Sequence, residues 1–301
     1  MALDFETDFD PRHGEAVEVA PGVARITVRN GGPFTFHGTN SYLVGTKDLA
    51  VIDPGPEDDA HFEALLRAIG GRPVSAILVT HTHRDHSPLA RRLAEHTGAP
   101  MLGEGPHRAA RPLKAGGPTP LDSSGDMTFR PDRVLADGDV AEGEGWQLKA
   151  VATPGHAANH LAFALEGTGL LFSGDHVMAW STTVVAPPDG AMADYMASLD
   201  RLLERDDRAY LPGHGGPVTN PAAFVRGLRT HRKLRERAIL ERVVQGDRSI
   251  PDIVAAIYRD TDPRLHGAAG LSVLAHLEDL CARGAVTCEG TPAIDAVFRP
   301  A

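Results

Sequence analysis

The sequence predicts an α/β fold for most of the chain, followed by a small helical C-terminal domain. Up to about residue 220, short apolar segments that end at glycine or proline alternate with amphipathic helical patterns, as in layered α/β proteins. The later residues contain helical patterns and a short strand-like end. With 301 residues, 42% of them hydrophobic, the chain can bury a sizeable core, and we do not expect disorder.

The first part of the chain predicts strands around one helix. The segments "VARITVRN", "NSYLVG" and "LAVIDPG" are typical of short strands that end in turns. The segment "PEDDAHFEALLRAIGG" predicts a helix, because apolar residues recur at i, i+3, i+4 and i+7 from Phe62 and two glycines follow. The apolar run "VSAILVT" then predicts a buried strand.

The next elements continue this alternation. A helix is predicted from about Ser87, with Pro88 in its first turn, and "APMLG" is the following strand. Residues 103–133 carry little periodicity and predict an irregular excursion. Strands resume as "VLADGDV", "WQLKAVATPG", "HLAFALEG" and "GLLFSGD", a helix is predicted near 192–205, and "AYLPGHGGPV" is a last strand and turn.

The C-terminal residues predict a separate unit. A long helical pattern covers 221–246, and two amphipathic helices with a strand-like end fill 247–301. Helix, helix and β tail is the element order of a small winged-helix-like domain. We therefore predict a main domain at 1–220, a connecting helix at 221–246 and a winged-helix-like domain at 247–301. The alternative is that these helices only cap the main domain.

Charge and cysteine content narrow the function classes. The formal net charge is −10, which does not favour a long polyanion as partner. The N-terminus lacks a secretory pattern, and no apolar run approaches the roughly 18 residues of a membrane span, so we expect a cytoplasmic protein without a membrane partner. Cys281 and Cys288 lack metal-site spacing, and we expect buried or idle thiols.

The segment "THTHRDHSPLARRL" carries the strongest chemical signal. It places His81, His83, Asp85 and His86 directly after a predicted core strand. Imidazole nitrogens and carboxylate oxygens are zinc ligands, and one tetrahedral ion with an open position takes fewer than four of them from one loop. The pattern therefore predicts two metal ions. A satisfied core histidine would explain any one of these residues, but it explains the four together poorly.

Three further candidate ligands follow other predicted strands. His156 stands in "TPGH", Asp175 in "FSGD" and His214 in "LPGH". Each apolar segment stops at a small-residue turn and delivers one histidine or aspartate, so we expect the strand ends to converge on one metal centre. The donor set suits zinc, and iron or manganese fits it as well.

These motifs together resemble the metallo-β-lactamase superfamily over about residues 20–220, and "VIDPG" at 51–55 matches as well. The resemblance implies a four-layer αββα sandwich with the site at one edge of its two sheets. It assigns one zinc to His81, His83 and His156, a second to Asp85, His86 and His214, and Asp175 to both.

The implied chemistry is hydrolysis by a metal-bridging hydroxide, because two ions about 3.5–4 Å apart lower the pKa of a shared water. Asp85 and Asp175 are accordingly the expected catalytic residues. Asp53 matches a non-ligand aspartate of the family, although a turn-capping role explains it nearly as well. His160 is expected to support the site or orient substrate, with a structural role as the alternative. His176 is expected to be structural.

A finer resemblance, to the β-lactamase-like protein 2 branch, covers about residues 20–290. It lies in "PFTFHGTNSYLVG", "HRDHS", "STTVV", "DYMASL" and the helical tail. This branch includes thioesterases that act on a carrier protein and a single-strand-specific endoribonuclease. The chain departs from it at "HSPLA", where many relatives have glycines, and at "APPDGAMA". We expect substrate contacts from 103–133 and 178–192.

Three functional hypotheses follow. The first is hydrolysis of a small ester, lactone or thioester. The second is cleavage of single-stranded RNA held by the basic stretch 231–242, against which stands an aromatic content of only 5%; the simpler interpretation of that stretch is a solvated helix face. The third is a binding or dimerisation role for the winged-helix-like domain, with promiscuous β-lactamase activity in the metal domain. The apolar stripe of "GLSVLAHLEDLCARG" suits packing or a homodimer better than DNA.

Overall fold

Two β-sheets pack face to face in the first two thirds of the protein. The structure, a computed structural model, describes residues 3–111, 124–259 and 261–301. Across the first sheet, in spatial as in chain order, the strands are β1 (Val17–Ala20), β2 (Val23–Thr27), β3 (Asn40–Val44), β4 (Leu49–Ile52), β5 (Val74–Leu78), β6 (Met101–Gly103) and β7 (Arg133–Val134). Across the second they are β12 (Ala209–Pro212), β11 (Leu170–Gly174), β10 (Leu161–Leu165), β9 (Trp146–Ala152) and β8 (Val140–Gly143).

Two differences from the predicted strands have local causes. The pattern did not predict β1, because this short edge strand is only half-buried and has no apolar run. The segment predicted as one strand, "VLADGDV", is split between β7 and β8 by a turn, in which the Asp139 carboxylate accepts a hydrogen bond from the amide of Ala136 at 2.8 Å. The two halves consequently join different sheets.

Helices cover the outer faces of both sheets. The helices are α1 (Asp59–Ile69) and α2 (Leu89–Thr97) on the first sheet, and α3 (Met192–Leu203) and α4 (Pro221–Gln245) on the second. Tyr42 and Ile52 pack against Phe163 and Phe172 between the sheets. The order of layers is therefore helix, sheet, sheet, helix, and the predicted αββα sandwich is confirmed.

Capping residues set the bounds of α1 and the start of α2. The Asp58 carboxylate accepts a hydrogen bond from the amide of His61 at 2.7 Å, and Gly70 ends α1 in the left-handed region with φ 62°. The second helix begins at Leu89, with Pro88 immediately before it at φ −57°, which is close to the prediction.

Strand direction brings five strand ends to one edge of the sandwich. Strand β4 runs parallel to β5, and β11 runs parallel to β12. Strand β9 points the same way as β11, because each is antiparallel to β10 between them. The loops after β4 and β5 therefore lie at one edge of the first sheet, and those after β9, β11 and β12 lie at one edge of the second. Side chains of the two groups of loops lie together at this edge of the sandwich.

The C-terminal residues build a second, smaller core. It contains α5 (Ile250–Ile257), a 3₁₀ turn (Pro263–Leu265), α6 (His266–Ala282) and an antiparallel pair, β13 (Val286–Cys288) with β14 (Phe298–Pro300). Ile239 and Val243 of α4 pack into this core, whereas Val225 and Leu228 pack on the second sheet. The predicted division at 220 and 246 stays a prediction, since α4 contributes to both cores. None of the helices described is long and apolar enough to cross a membrane.

Candidate metal centre

Each predicted ligand lies on a loop that follows a strand of the common edge. The structure brings all seven together: His81, His83, Asp85 and His86 after β5, His156 after β9, Asp175 after β11 and His214 after β12. Their donor atoms form two groups, which we call the three-histidine set (His81, His83, His156) and the mixed set (Asp85, His86, Asp175, His214).

The three-histidine set is compact. Nδ1 of His83 lies 3.0 Å from Nε2 of His81 and 3.0 Å from Nε2 of His156. The rings of His81 and His156 each stand nearly perpendicular to that of His83. Three nitrogens thus point at one small volume between them.

The mixed set has similar spacing. Nε2 of His214 lies 3.2 Å from one carboxylate oxygen of Asp85 and 3.2 Å from one of Asp175. Nε2 of His86 lies 3.4 Å and 3.5 Å from the same two carboxylates. The Asp175 carboxylate also lies 3.7 Å from Nε2 of His156 in the three-histidine set, so it stands between the two groups.

This spacing fits divalent metal ions. Ligand atoms about 2.0–2.1 Å from one tetrahedral zinc stand roughly 3.3 Å apart, close to the distances in both sets. Nε2 of His86 and Oδ1 of Asp175 are buried and lack a hydrogen-bond partner among the described residues. Since a buried polar atom without a partner is costly, these two atoms are suited to bind a cation.

The protonation preferences of the side chains show how strongly the groups interact. Burial acts to raise the pKa of Asp85 and of Asp175, but His86 and His214 outweigh it and hold both pKa values well below their usual range. Burial acts to lower the pKa of His214, whereas the carboxylates raise it to about 9. Burial and His83 hold the pKa of His156 at about 4, which keeps its ring neutral as a ligand must be.

Hydrogen bonds on the far ring nitrogens orient the imidazoles. Nδ1 of His156 donates to the carbonyl of Val184 at 2.6 Å, and Nδ1 of His214 donates to the carbonyl of Gly38 at 3.2 Å. Each bond places a hydrogen on Nδ1, so that Nε2 is the ring atom that faces the donor sets. Outer partners of this kind fix the tautomer of metal-binding histidines.

Asp53 contacts both the turn after β5 and one of the candidate ligands. It follows β4 at φ 49°, and its carboxylate accepts hydrogen bonds from the amide and the hydroxyl of Thr80, both at 2.7 Å. One of its oxygens also accepts from Nδ1 of His86 at 2.9 Å. Asp53 therefore holds the turn after β5 and orients His86 at the same time.

His160 lies behind Asp175. Its Nε2 accepts a hydrogen bond from the amide of Asp175 at 3.2 Å, and its Nδ1 donates to the hydroxyl of Thr153 at 2.8 Å. Both ring nitrogens are used inside the protein, so the contacts favour support of the site over orientation of substrate. His176 is buried against the ring of Tyr195, 4.6 Å away between centroids.

Sequence reasoning missed Asp189. Its carboxylate is buried and accepts a hydrogen bond from Nε2 of His83 at 2.6 Å, which leaves Nδ1 of His83 as the metal-facing atom. The residue lies in "APPDGAMA", which the sequence placed near the pocket without a role. An aspartate in a loop that was already expected to line the site was the available signal.

We expect Asp189→Asn to lower the metal affinity of the three-histidine set by about 10- to 100-fold, because the amide no longer fixes the His83 tautomer. Calorimetric titration of the metal-free protein with zinc measures the change in affinity. Asp194→Asn, on α3, is the matched control. An unchanged affinity in Asp189→Asn would show that His83 is oriented by its other neighbours.

A cavity of about 440 Å³ opens above both donor sets. Phe34, Met178, Val184 and Ala186 give it an apolar wall, and the metal-site side chains form its polar floor. The expected substrate-binding segment 178–192 contributes to this wall. The other expected segment, 103–133, contributes Ser124, while its residues 112–123 lie outside the described residues.

Comparison with known proteins adds independent observations. The model of the metallo-beta-lactamase superfamily matches residues 34–214, and that of the beta-lactamase associated winged helix domain matches residues 249–294. The chain is 30% identical to a beta-lactamase-like protein 2 homolog of Drosophila melanogaster over 86% of this chain and 87% of that protein. It is 27% identical to an atrochrysone carboxyl ACP thioesterase of Aspergillus terreus over 82% of this chain and 71% of that protein.

Solved structures extend the likeness to the whole chain. The crystal structure of a beta-lactamase domain protein from Burkholderia ambifaria matches with a TM-score of 0.80 and 26% identity, over 99% of this chain and 97% of that one. A metallo-beta-lactamase family protein from Thermus thermophilus matches with a TM-score of 0.74 and 25% identity, over 94% of this chain and 100% of that one. Both domains of the present chain are therefore similar to parts of solved proteins.

Proposed function

The chain belongs to the metallo-β-lactamase superfamily of hydrolases and carries the winged-helix domain associated with it, and from this premise we propose that it is a dinuclear metal-dependent thioesterase. The observation that carries the proposal is the pair of donor sets joined by Asp175, whose carboxylate faces histidines of both. Esters and lactones are the related substrates.

In this proposal the three-histidine set holds one ion, the mixed set holds the second, and Asp175 contributes to both. Two bound divalent ions supply a water of lowered pKa and a Lewis acid for the attacked carbonyl. The protein's own groups keep that chemistry in place: Asp53 and Asp189 orient His86 and His83 through hydrogen bonds of 2.9 Å and 2.6 Å. The nitrogen and oxygen donors favour zinc, and iron or manganese remains compatible with them.

The cavity wall supports an acyl substrate. Phe34, Met178, Val184 and Ala186 present apolar surface beside the donor sets, which suits the acyl chain and excludes bulk water from the carbonyl. The Aspergillus terreus relative is named as a thioesterase. Together these points favour a thioester over the other substrates that such a centre can hydrolyse.

Zinc-loaded protein is expected to hydrolyse an S-acyl pantetheine thioester with kcat/KM of about 10⁴ M⁻¹s⁻¹ or more, measured by chromatography of the released acid. A labelled single-stranded RNA and a β-lactam are assayed beside it, because the sequence left both reactions open. Prior chelation should abolish all turnover. Cleavage of the RNA without hydrolysis of the thioester would overturn the proposal and identify a ribonuclease.

A further inference from the structure

A second cavity, of about 260 Å³, adjoins the metal-site cavity. The two share wall residues Phe34, Met178 and Val184, so the second cavity lies beside the mouth of the first. Its remaining wall comes from Pro33, from residues 180–183, from α4 and from residues of the C-terminal domain. Three side chains of α4 line it, and we call them the basic cluster: His231, Arg232 and Arg235.

The two arginines of the basic cluster have no carboxylate partner among the described residues. Three other arginines of α4 do: Arg229 pairs with Asp200, Arg237 with Glu241 and Arg242 with Asp247. Arg232 is only 4% exposed, and within the described part of the chain its Nε has no hydrogen-bond partner. The Arg232 guanidinium lies 5.2 Å from the centre of the Tyr195 ring, but no carboxylate of the described residues pairs with it. Burying a guanidinium without a counter-charge is costly, so the cavity carries positive charge that an anionic ligand could pair with.

Both arginines of the basic cluster contact other residues of the cavity wall. A guanidinium nitrogen of Arg232 donates to the carbonyl of Thr183, and the guanidinium of Arg235 lies 4.2 Å above the ring of Tyr258. Nδ1 of His231 is buried and has no hydrogen-bond partner in the segments that the structure describes. Burial and the two arginines hold its pKa at about 4, so this ring stays neutral near pH 7 and can donate one hydrogen bond.

The cluster and the metal site contact neighbouring peptide groups. Arg232 binds the carbonyl of Thr183, and His156 of the three-histidine set binds the carbonyl of Val184 at 2.6 Å. Consecutive residues are about 3.8 Å apart along the chain. A ligand that reaches both cavities therefore passes over a single short segment of backbone.

We propose that the basic cluster binds the phosphate of a phosphopantetheine arm, whose far end presents the thioester to the metal site. Guanidinium groups bind phosphate oxygens through paired, charge-assisted hydrogen bonds, and the cavity offers two of them beside a neutral imidazole. Thioesters of coenzyme A and of acyl carrier proteins share this phosphate and its long arm. The inference rests on the proposed thioesterase function, since it assigns the part of that substrate distant from the carbonyl.

The first test compares thioesters with the same acyl group on pantetheine, on 4′-phosphopantetheine, on coenzyme A and on a carrier protein. In the wild type the phosphate should lower KM by about 10- to 100-fold. In Arg235→Gln the KM values for the pantetheine and the 4′-phosphopantetheine thioesters should be nearly equal. Arg235→Lys should retain part of the difference. Arg237→Gln, on the exposed face of α4, is the matched control and should behave as wild type.

The second test uses no turnover. Calorimetry measures binding of S-methyl 4′-phosphopantetheine and of S-methyl pantetheine to the metal-loaded protein, because the thioether cannot ligate zinc as the free thiol would. Tighter binding of the phosphorylated probe, lost in Arg235→Gln, supports the phosphate site even if no thioester is hydrolysed, in which case only the thioesterase proposal fails.

Equal binding of the two probes would overturn the inference, as would an Arg235-dependent affinity for single-stranded RNA without one for the probes. Preference for the carrier-protein or the coenzyme A thioester identifies the source of the phosphate, and either preference supports the site. Thermal unfolding of each variant shows whether it remains folded. If Arg235→Gln does not fold, the same binding comparison is made with Arg235→Lys.

Discussion

Asp175→Ala is expected to reduce hydrolysis by at least about 10³-fold while the chain remains folded. The carboxylate stands between the two donor sets, 3.2 Å from Nε2 of His214 and 3.7 Å from Nε2 of His156, so its loss removes the group shared by both. Bound metal ions contribute several kcal/mol of transition-state stabilisation, and each 1.36 kcal/mol is a factor of ten in rate. Steady-state kinetics and elemental analysis of the purified variant measure both effects.

Asp137→Ala is the control for this variant, because Asp137 is half-exposed, pairs with Arg201 and lies outside the site. It should keep full activity and metal content. Circular dichroism and thermal unfolding should show that Asp175→Ala retains its fold, since the hydrogen bond from the Asp175 amide to His160 does not require the carboxylate. Full turnover with unchanged metal content in Asp175→Ala would refute the dinuclear assignment.

Removal of the metal ions is expected to abolish activity and to lower the free energy of unfolding by about 3–4 kcal/mol per tightly held ion. In the metal-free protein the buried donors would face one another without a cation, and Nε2 of His86 and Oδ1 of Asp175 have no hydrogen-bond partner among the described residues. The midpoint of thermal unfolding should fall on the order of 10 °C. Differential scanning calorimetry before and after dialysis against a chelator measures the shift.

Stoichiometric return of zinc tests the same prediction in reverse. Activity and the thermal midpoint should both recover, and the recovery should be complete at two ions per chain. Iron and manganese are added under the same conditions, so that the recovery of activity and of the thermal midpoint can be compared for the three candidate metals. Full recovery at one ion per chain would contradict a paired centre, although it would leave a metal-dependent hydrolase.

Strand geometry explains why the candidate donor residues named from the sequence lie together in the structure. Parallel strand ends meet at one edge of a sheet, so an apolar run that stops at His156, Asp175 or His214 indicates a shared location. The resemblance to the metallo-β-lactamase superfamily and to its winged-helix domain is confirmed by the matches at 34–214 and 249–294. Which ion each donor binds stays a prediction.

The contacts that orient the donors were harder to predict. Asp189 reaches His83 across 106 positions of the chain, and the loop that carries it has no periodicity from which its path could be inferred. The basic stretch 231–242 shows a second limit. Lys233, Leu234 and Arg237 are exposed, as a solvated face requires, whereas Arg232 is buried. The charged composition of the stretch does not show which residues are exposed. Each successive residue of a helix points about 100° away from the one before it, so neighbouring basic residues face different surroundings.

The position of α4 in two hydrophobic cores has a consequence for unfolding. Its first half packs on the second sheet through Val225 and Leu228, and its second half packs into the C-terminal core through Ile239 and Val243. A shared helix couples the two cores energetically, so denaturant should unfold them in one cooperative transition rather than two. A chain cut after residue 246 would bare an apolar stripe, and the hydrolase domain would aggregate instead of working alone.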